Sequence, residues 1–185
     1  MNGALSKTTI ALIALFAAAC LEDSRAHGHH RAAFDRAAVS AWLAPAANPQ
    51  HIGSARFGNS IEYIGFDIDP PRATIGQAAH VTLYFRCLEE VNADYRIFVH
   101  LDDPTGRLDR IHADHDPAGG NYHTDVWRKG DVVKDTFSFT PTPGLTALDF
   151  WLGFYLGDDR LPVGTLAGVR TDGLNRVLAA TLPVQ

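Results

Sequence analysis

Histidine and aspartate side chains concentrate in one short stretch of the chain, RIHADHDPAGGNYHTDVW, which runs from Arg110 to Trp127. Three histidines and three aspartates fall within these eighteen residues. Imidazole nitrogens suit zinc and copper, and carboxylate oxygens suit calcium. The composition raises two metal hypotheses, and the strands that carry these side chains decide which of them converge.

The residues before this stretch predict a β-hairpin with strands Tyr95–Asp102 and Arg107–Asp114. The Asp-Pro-Thr-Gly sequence between them suits a three-residue loop that closes at Gly106 in the left-handed conformation. In that register Val99 opposes Ile111, because a register shifted by one residue would put charged side chains among apolar ones. One face of the first strand is then apolar: Tyr95, Ile97, Val99 and Leu101.

The opposite face of the hairpin carries the candidate transition-metal ligands. The register predicts that His100 and His112 are diagonal neighbours about 7 Å apart. It also places Asp114 opposite Arg96, which predicts an exposed ion pair. Zinc or copper is the predicted metal, with His123 as a further ligand. The set is incomplete, since a closed zinc site needs four ligands.

The loop itself partly matches the spacing of a calcium-binding loop. Asp114, Asp116 and Asp125 stand at the first, third and twelfth positions of the pattern D-x-[DN]-x-[DN]-G-x5-E. Ala118 occupies a position that needs an oxygen ligand, and Pro117 stiffens the loop. Calcium is therefore an alternative prediction for residues 114–125.

Catalytic motifs are not found in the sequence. It contains no G-x-S-x-G elbow, no His-Glu-x-x-His pair and no glycine-rich phosphate loop. No nucleophile, base and orienting group can be placed together, so the sequence predicts a protein without enzymatic activity.

The first twenty residues, MNGALSKTTIALIALFAAAC, predict an export signal. Lys7 precedes a short apolar segment that ends in small residues, which is typical of a secretory signal peptide. Small residues leading into Cys20 resemble a bacterial lipoprotein signal, with Cys20 as the lipidated residue. Ala17 departs from that pattern, so an ordinary signal peptide and a soluble periplasmic or secreted protein remain the alternative.

We expect three regions in the chain: the signal peptide 1–20, a tether 21–58 and a β-sandwich domain 59–185. The tether contains HGHH (27–30), which suits weak binding of a transition metal, and a short helix predicted over Arg31–Leu43. From residue 61 the hydrophobic period becomes two, which predicts an antiparallel, immunoglobulin-like sandwich of about seven strands. The predicted strands are Ile61–Asp69, Ala79–Leu88, Tyr95–Asp102, Arg107–Asp114, Val132–Thr140, Ala147–Leu156 and Asn175–Leu182.

The composition argues against nucleic acid as a partner and against a disulfide framework. Sixteen Lys and Arg residues stand against twenty-one Asp and Glu residues, for a net charge of −5, which argues against binding to nucleic acid. Of the two cysteines, Cys20 is the predicted lipid-attachment site. Cys87 lies on the apolar face of its predicted strand, where we expect a buried thiol.

Part of the chain resembles a known family of domains. The segment YRIFVHLDDPTGRLDRIHADHDPAGGNYHTDVWRKGDVVKD, followed by GFYLGDDRLPV, carries the resemblance. It is similar to the extracytoplasmic β-sandwich domain at the C-terminus of predicted bacterial membrane glycosyltransferases. The matching positions are Phe98, Val99, His100, Leu101, Asp103, Pro104, Gly106, Arg107, Gly120, Tyr122, Thr124, Trp127, Gly130, Asp135, Gly153, Tyr155, Leu161 and Pro162. His123 and Asp131 replace the proline and glutamate of the family.

The resemblance implies a stand-alone, anchored relative of an accessory domain rather than a glycosyltransferase. It gives Gly106 and Gly130 structural roles and makes Trp127 a buried plug of the sandwich, with a sugar-stacking platform as the alternative. We therefore expect a lipid-anchored module of the bacterial cell envelope that binds a surface glycan or an envelope protein. The alternative is a metal-binding protein that uses zinc, copper or calcium.

Overall fold

The computed structural model describes residues 31–164 and 168–185 as a β-sandwich. Cys20 and the HGHH segment lie outside the described residues. Within the two described ranges, ten strands form two sheets. The strands are β1 (His51–Phe57), β2 (Ile61–Asp69), β3 (Ala79–Cys87), β4 (Arg96–Asp102), β5 (Ile111–His112), β6 (Val132–Phe139), β7 (Ala147–Leu156), β8 (Asp159–Arg160), β9 (Val163–Gly164) and β10 (Val177–Pro183). Short 3-10 segments lie at Arg31–Ala33, Ala37–Trp42, Pro117–Gly120 and Thr124–Val126.

The two sheets have the orders β6-β3-β2-β1-β9 and β10-β7-β4-β5, and β8 pairs with β7. All pairs of these strands are antiparallel. The all-β sandwich predicted from the sequence is therefore confirmed. None of the helices in the described parts of the chain has the length and apolar character needed to cross a membrane.

The core lies between the sheets and is rich in aromatic side chains. Phe85 of β3 packs edge-on against Phe154 of β7, with ring centroids 5.0 Å apart. Trp127 joins this cluster with no exposed surface, and its Nε1–H donates to the carbonyl oxygen of Tyr122 at 3.0 Å. A ring in this position is inaccessible to a sugar, so Trp127 stabilises the interior.

Cys87 also lies in the core, at the end of β3. Strand alternation sends it inward together with Val81, Leu83 and Phe85, and all four are at most 1% exposed. Burial, reinforced by nearby carboxylates, raises the pKa of the Cys87 thiol to about 11. The thiol therefore stays protonated at neutral pH and contributes packing rather than reactivity.

The segment predicted as a tether is folded against the sandwich from Arg31 onward. The first strand, His51–Phe57, pairs with β2, so the sheet begins before residue 59, where we expected the domain to start. The expected helix over Arg31–Leu43 is replaced by two short 3-10 segments. Arg36 binds Asp131 through Nη1 at 2.9 Å, which attaches this segment to the loop before β6.

The register of the β4–β5 hairpin differs from the predicted one by two residues. His100 pairs directly with His112, and Leu101 pairs with Ile111. The cause is Asp103, whose carboxylate accepts hydrogen bonds from the backbone N–H groups of residues 105, 107 and 108. These bonds hold the chain in a longer loop and shorten β5 to Ile111–His112. A shift of two residues keeps each side chain on its predicted face.

Two glycines expected to be structural adopt backbone conformations that favour glycine. Gly106 has a φ of 67° and its N–H donates to the carbonyl oxygen of Asp103 at 2.9 Å. Gly130 has a φ of 91° and its N–H donates to the carbonyl oxygen of Cys87 at 2.8 Å. Positive φ angles are strained for residues with a Cβ, so both turns favour glycine.

Candidate functional site

The outer face of the β10-β7-β4-β5 sheet is covered by long side chains from distant segments. Phe98 and His100 of β4 point away from the core, yet they are only 2% and 6% exposed. The Arg160 guanidinium carbon lies 4.7 Å from the centre of the Phe98 ring. Arg176 lies at the same distance over the neighbouring Trp151. These arginines cover the aromatic rings, so this face of the sheet is not a flat, open surface.

Gly153 of β7 gives Phe98 its place on this face. The two residues are paired across β4 and β7, and the Phe98 ring lies over the glycine. A Cβ at position 153 would stand 2.3 Å from Cζ of Phe98, far inside van der Waals contact. The ring can therefore lie against the sheet only because residue 153 is a glycine.

A polar pocket of about 260 Å³ opens beside His100. We call it the His100 pocket. Its lining residues are Phe98, His100, Asp114, Tyr155, Gly157, Asp158 and Arg160. It combines two carboxylates, a guanidinium, an imidazole and a phenol, so it offers both donors and acceptors of hydrogen bonds.

Three predicted metal ligands meet at the edge of this pocket. The rings of His100 and His112 are 4.9 Å apart between centroids, closer than the diagonal arrangement predicted from the sequence. Nε2 of His100 lies 3.7 Å from Oδ1 of Asp114. One potential ligand atom from each of the three residues lies within 4.8 Å of the others.

The carboxylate of Asp114 is held in place by the backbone. Its Oδ1 accepts a hydrogen bond from the N–H of Val99 at 2.9 Å. Burial alone would raise the pKa of Asp114, but the interactions with His100 and the Val99 N–H outweigh it and lower the pKa below its ordinary value. Asp114 is therefore ionised at neutral pH and available as an acceptor or a metal ligand.

Arg176 contacts the other nitrogen of His100. Its Nη1 lies 3.4 Å from Nδ1 of His100, and its Nε donates to Asp172 at 2.6 Å. A guanidinium can only donate, so Nδ1 of His100 accepts and the proton of a neutral ring lies on Nε2. In that tautomer Nε2 carries a hydrogen on the side of Asp114, so it has no free lone pair for a metal.

The predicted ion pair between Arg96 and Asp114 is wrong. Arg96 binds Asp116 instead, with Nε 2.8 Å from Oδ1, because the register is shifted by two residues. Asp125 is buried, with only 3% of its surface exposed. Among the described residues, neither Asp116 nor Asp125 joins Asp114 in a cluster of three potential ligands.

His123 also lies apart from the His100 and His112 pair. Its Nδ1 lies 2.9 Å from Oδ2 of Asp94, a carboxylate that is almost fully buried. The hydrogen bond to Asp94 raises the pKa of His123 against the opposing effect of burial. His123 thus serves as the partner of a buried carboxylate, and the described cluster does not include it.

The sequence patterns did not predict one buried polar pair that the structure contains. His115 Nε2 lies 2.6 Å from Oδ2 of Asp135, which has no exposed surface. The signal was the alternation of β6, in which Asp135 falls on the inward face between Val133 and Phe137. A carboxylate at an inward position needs a partner, and a histidine in the preceding loop was available to provide one.

These features define an all-β sandwich with a polar pocket on the outer face of one sheet. The sequence matches no known protein family and no curated protein. Similar folds occur among solved structures. The C-terminal domain of Wzt aligns with a TM-score of 0.47 and 15% identity, over 75% of this chain and 82% of that one. A Niemann-Pick type C2 protein from the Japanese carpenter ant aligns with a TM-score of 0.37 and 11% identity, over 75% and 97% of the two chains.

Proposed function

We propose that this protein is a non-catalytic, extracytoplasmic binding module that holds a sugar unit of a surface glycan in the His100 pocket. The observation that carries the proposal is the convergence of Asp114, Asp158 and Arg160 in one pocket of about 260 Å³. Sugar hydroxyls both donate and accept hydrogen bonds, so they fit a pocket that mixes carboxylates with a guanidinium.

The size of the pocket and its covered rings limit how the ligand binds. A volume of about 260 Å³ lies below the range of about 300–1,000 Å³ that is common for small-molecule sites, which favours one sugar unit at the end of a chain. Arg160 covers Phe98, and Arg96 lies 5.5 Å from the centre of the Tyr155 ring. Hydrogen bonds rather than ring stacking would therefore carry recognition.

A glycan array probed with the purified full-length protein tests the proposal. Arg160→Ala and Asp158→Asn are expected to weaken binding at least tenfold, since a hydrogen bond to a charged group is worth about 1.5–3 kcal/mol. Arg56→Ala, which removes an exposed arginine on the other sheet, is the matched control. Equal binding by wild type and Arg160→Ala would contradict the proposal. No binding to any glycan would favour an envelope protein as the partner of this face.

Transition-metal binding is the second candidate, because ligand atoms of His100, His112 and Asp114 lie within 4.8 Å of one another. Zinc bonds of about 2.1 Å in a tetrahedron separate ligand atoms by about 3.4 Å, so the exposed His112 and Asp114 would need to move about an ångström inward. Arg176 stands against this function, because its contact with Nδ1 favours a proton on Nε2 of His100.

Titration calorimetry with zinc, copper and calcium separates the two functions. His112 contributes to the metal cluster but does not line the pocket, so His112→Ala should abolish metal binding and leave glycan binding intact. Arg160→Ala should have the opposite effect. His80→Ala removes an exposed histidine on the other sheet and is the control. Calcium binding that is lost in Asp125→Asn would instead support the predicted calcium loop.

The location of the protein is proposed from its first twenty residues. We propose that Cys20 is lipidated and anchors the sandwich to a membrane of the bacterial envelope, with two acyl chains sufficient for stable attachment. Cys20→Ser should move the protein from the membrane fraction to the soluble fraction and remove the mass of the lipid. Unchanged fractionation and mass would favour the ordinary signal peptide.

A further inference from the structure

A second cleft, separate from the His100 pocket, lies between the two sheets. Its volume is about 330 Å³, and it is lined by segments of β1 and β10, by Tyr63 of β2 and by residues before β10. We call it the Tyr63 cleft. The lining residues on which the argument depends are Ile52, Gly53, Tyr63, Val169, Leu178 and Ala180.

Three β-bulges surround this cleft. The register shifts between Ile52 and Ala55 in β1 and between Tyr63 and Gly65 in β2. It shifts again between Leu178 and Ala180 in β10. Each bulge disrupts the ladder and bends its strand, so three together keep the sheets from closing at this end.

The hydroxyl of Tyr63 is buried without a hydrogen-bond partner among the described residues. The residue is 1% exposed, and its Oη is the one buried side-chain polar atom in that part of the chain with no partner. Burial raises the pKa of the phenol, so the hydroxyl keeps its proton and can donate. A buried polar atom without a partner is costly, which makes this hydroxyl a feature that needs an occupant of the cleft.

Gly53 allows the Tyr63 ring to lie where it does. A Cβ at position 53 would stand 2.3 Å from Cε1 of Tyr63. The backbone of β1 therefore passes directly over the ring, and Tyr63 reaches the cleft because residue 53 has no side chain. The arrangement therefore requires glycine at position 53 and tyrosine at position 63.

The cleft combines apolar residues with polar ones, among them Arg170. Val169, Leu178 and Ala180 line the cleft, and Ile52 at its edge is 85% exposed. Water would satisfy the hydroxyl but would leave these apolar groups in contact with solvent. A ligand with an apolar body and one acceptor oxygen satisfies both, since burial of apolar surface is favourable.

We infer that the Tyr63 cleft binds a small neutral amphiphile whose oxygen accepts a hydrogen bond from the Tyr63 hydroxyl. At about 30 Å³ for each water-sized group, 330 Å³ accommodates about ten non-hydrogen atoms. The ligand class is thus a medium-chain ketone, alcohol or ester. The inference is independent of the proposed glycan function, because the two sites share no residue.

The test is a titration of the full-length protein with 2-octanone, followed by NMR. We expect saturable shifts in the backbone signals of Gly53, Ser54 and Ala180. Tyr63→Phe removes only the hydroxyl and should weaken binding about three- to tenfold, as the loss of one neutral hydrogen bond predicts. It should leave the unfolding midpoint unchanged or higher. Tyr84→Phe, which removes a hydroxyl bonded to Asp67 instead, is the control and should bind like wild type.

Two results would overturn the inference. One is the lack of saturable shifts at these residues in wild type, and the other is equal affinity in wild type and Tyr63→Phe. If wild type does not bind and Tyr63→Phe is less stable, the hydroxyl is satisfied by water alone. Ala180→Trp, designed to fill the cleft, should abolish the shifts while a folded spectrum is retained.

Discussion

His115 Nε2 lies 2.6 Å from Oδ2 of Asp135, and this pair joins the loop after β5 to the interior of the sandwich. The other oxygen of the same carboxylate accepts the N–H of Ala118 at 2.7 Å. Ala118 is itself fully buried with a positive φ of 55°. One buried carboxylate therefore fixes both the histidine and the turn that follows it.

The His115–Asp135 pair predicts a pH dependence of stability. Burial alone would lower the pKa of His115, but the hydrogen bond and charge of Asp135 outweigh it and raise the pKa above its ordinary value. The stabilisation is thus complete below the unfolded pKa of about 6.5 and is lost as the pH rises through the folded pKa. Urea unfolding between pH 5.5 and 9 should show this decline in wild type and a flatter profile in His115→Gln.

Asp135→Asn tests the same pair from the other side. Removal of one partner of a buried ion pair costs about 3–5 kcal/mol of unfolding free energy, and the cost should be largest at low pH, where His115 is charged. His80→Gln alters an exposed histidine and should keep the profile of wild type. A His115→Gln profile identical to that of wild type would contradict the assignment.

Gly153→Ala should destabilise the protein by about 1–3 kcal/mol, because the new Cβ would collide with the Phe98 ring and the strands must shift. Gly164→Ala is the matched control. A Cβ at position 164 meets its nearest neighbour at an ordinary 3.5 Å, so this variant should unfold like wild type. Chemical denaturation of both variants measures the difference. Equal unfolding free energies would show that Phe98 moves without cost.

The pKa of Asp103 is lowered to about 2, first by the side chain of Thr105 and then by backbone N–H groups. Thr105→Ala removes the hydroxyl that donates to Asp103 at 2.6 Å and should raise this pKa toward its ordinary value of about 3.9. Carboxyl NMR as a function of pH measures the change. Thr181→Ala, which removes a similar bond to Asp149, should leave the pKa of Asp103 unchanged.

The segment before β1 should contribute to stability. Phe34 stacks on Tyr122 with ring centroids 5.6 Å apart, and Arg36 binds both the Tyr122 hydroxyl at 2.7 Å and Asp131. A variant that begins at residue 31 should unfold like the full-length protein. A variant that begins at residue 46 should lose about 1–3 kcal/mol, since it leaves Asp131 without its guanidinium. Equal stability of both would contradict this role.

The sequence was most informative where backbone geometry alone controls the outcome. Side chains of a strand alternate between its two faces, so the run Ile61–Asp69 could be identified with its bounds correct, as could Ala147–Leu156. It was less informative for β8 and β9, because a strand of two residues has little periodicity to detect. It also missed β1, in which a bulge between Ile52 and Ala55 interrupts the alternation. The predicted β4–β5 register was wrong because the Asp103 carboxylate binds backbone N–H groups and holds a longer loop than the turn sequence indicates.

By itself, the sequence determined the all-β architecture and the opposite faces of β4, because alternation depends only on the chain. Tertiary structure decided which side chains meet. Arg160 and Arg176 reach Phe98 and His100 from more than fifty residues away, and no periodic pattern encodes that approach. Likewise, three bulged strands lie around the Tyr63 hydroxyl, which has no hydrogen-bond partner among the described residues. Contacts between distant residues depend on packing in three dimensions, which one-dimensional alternation does not contain.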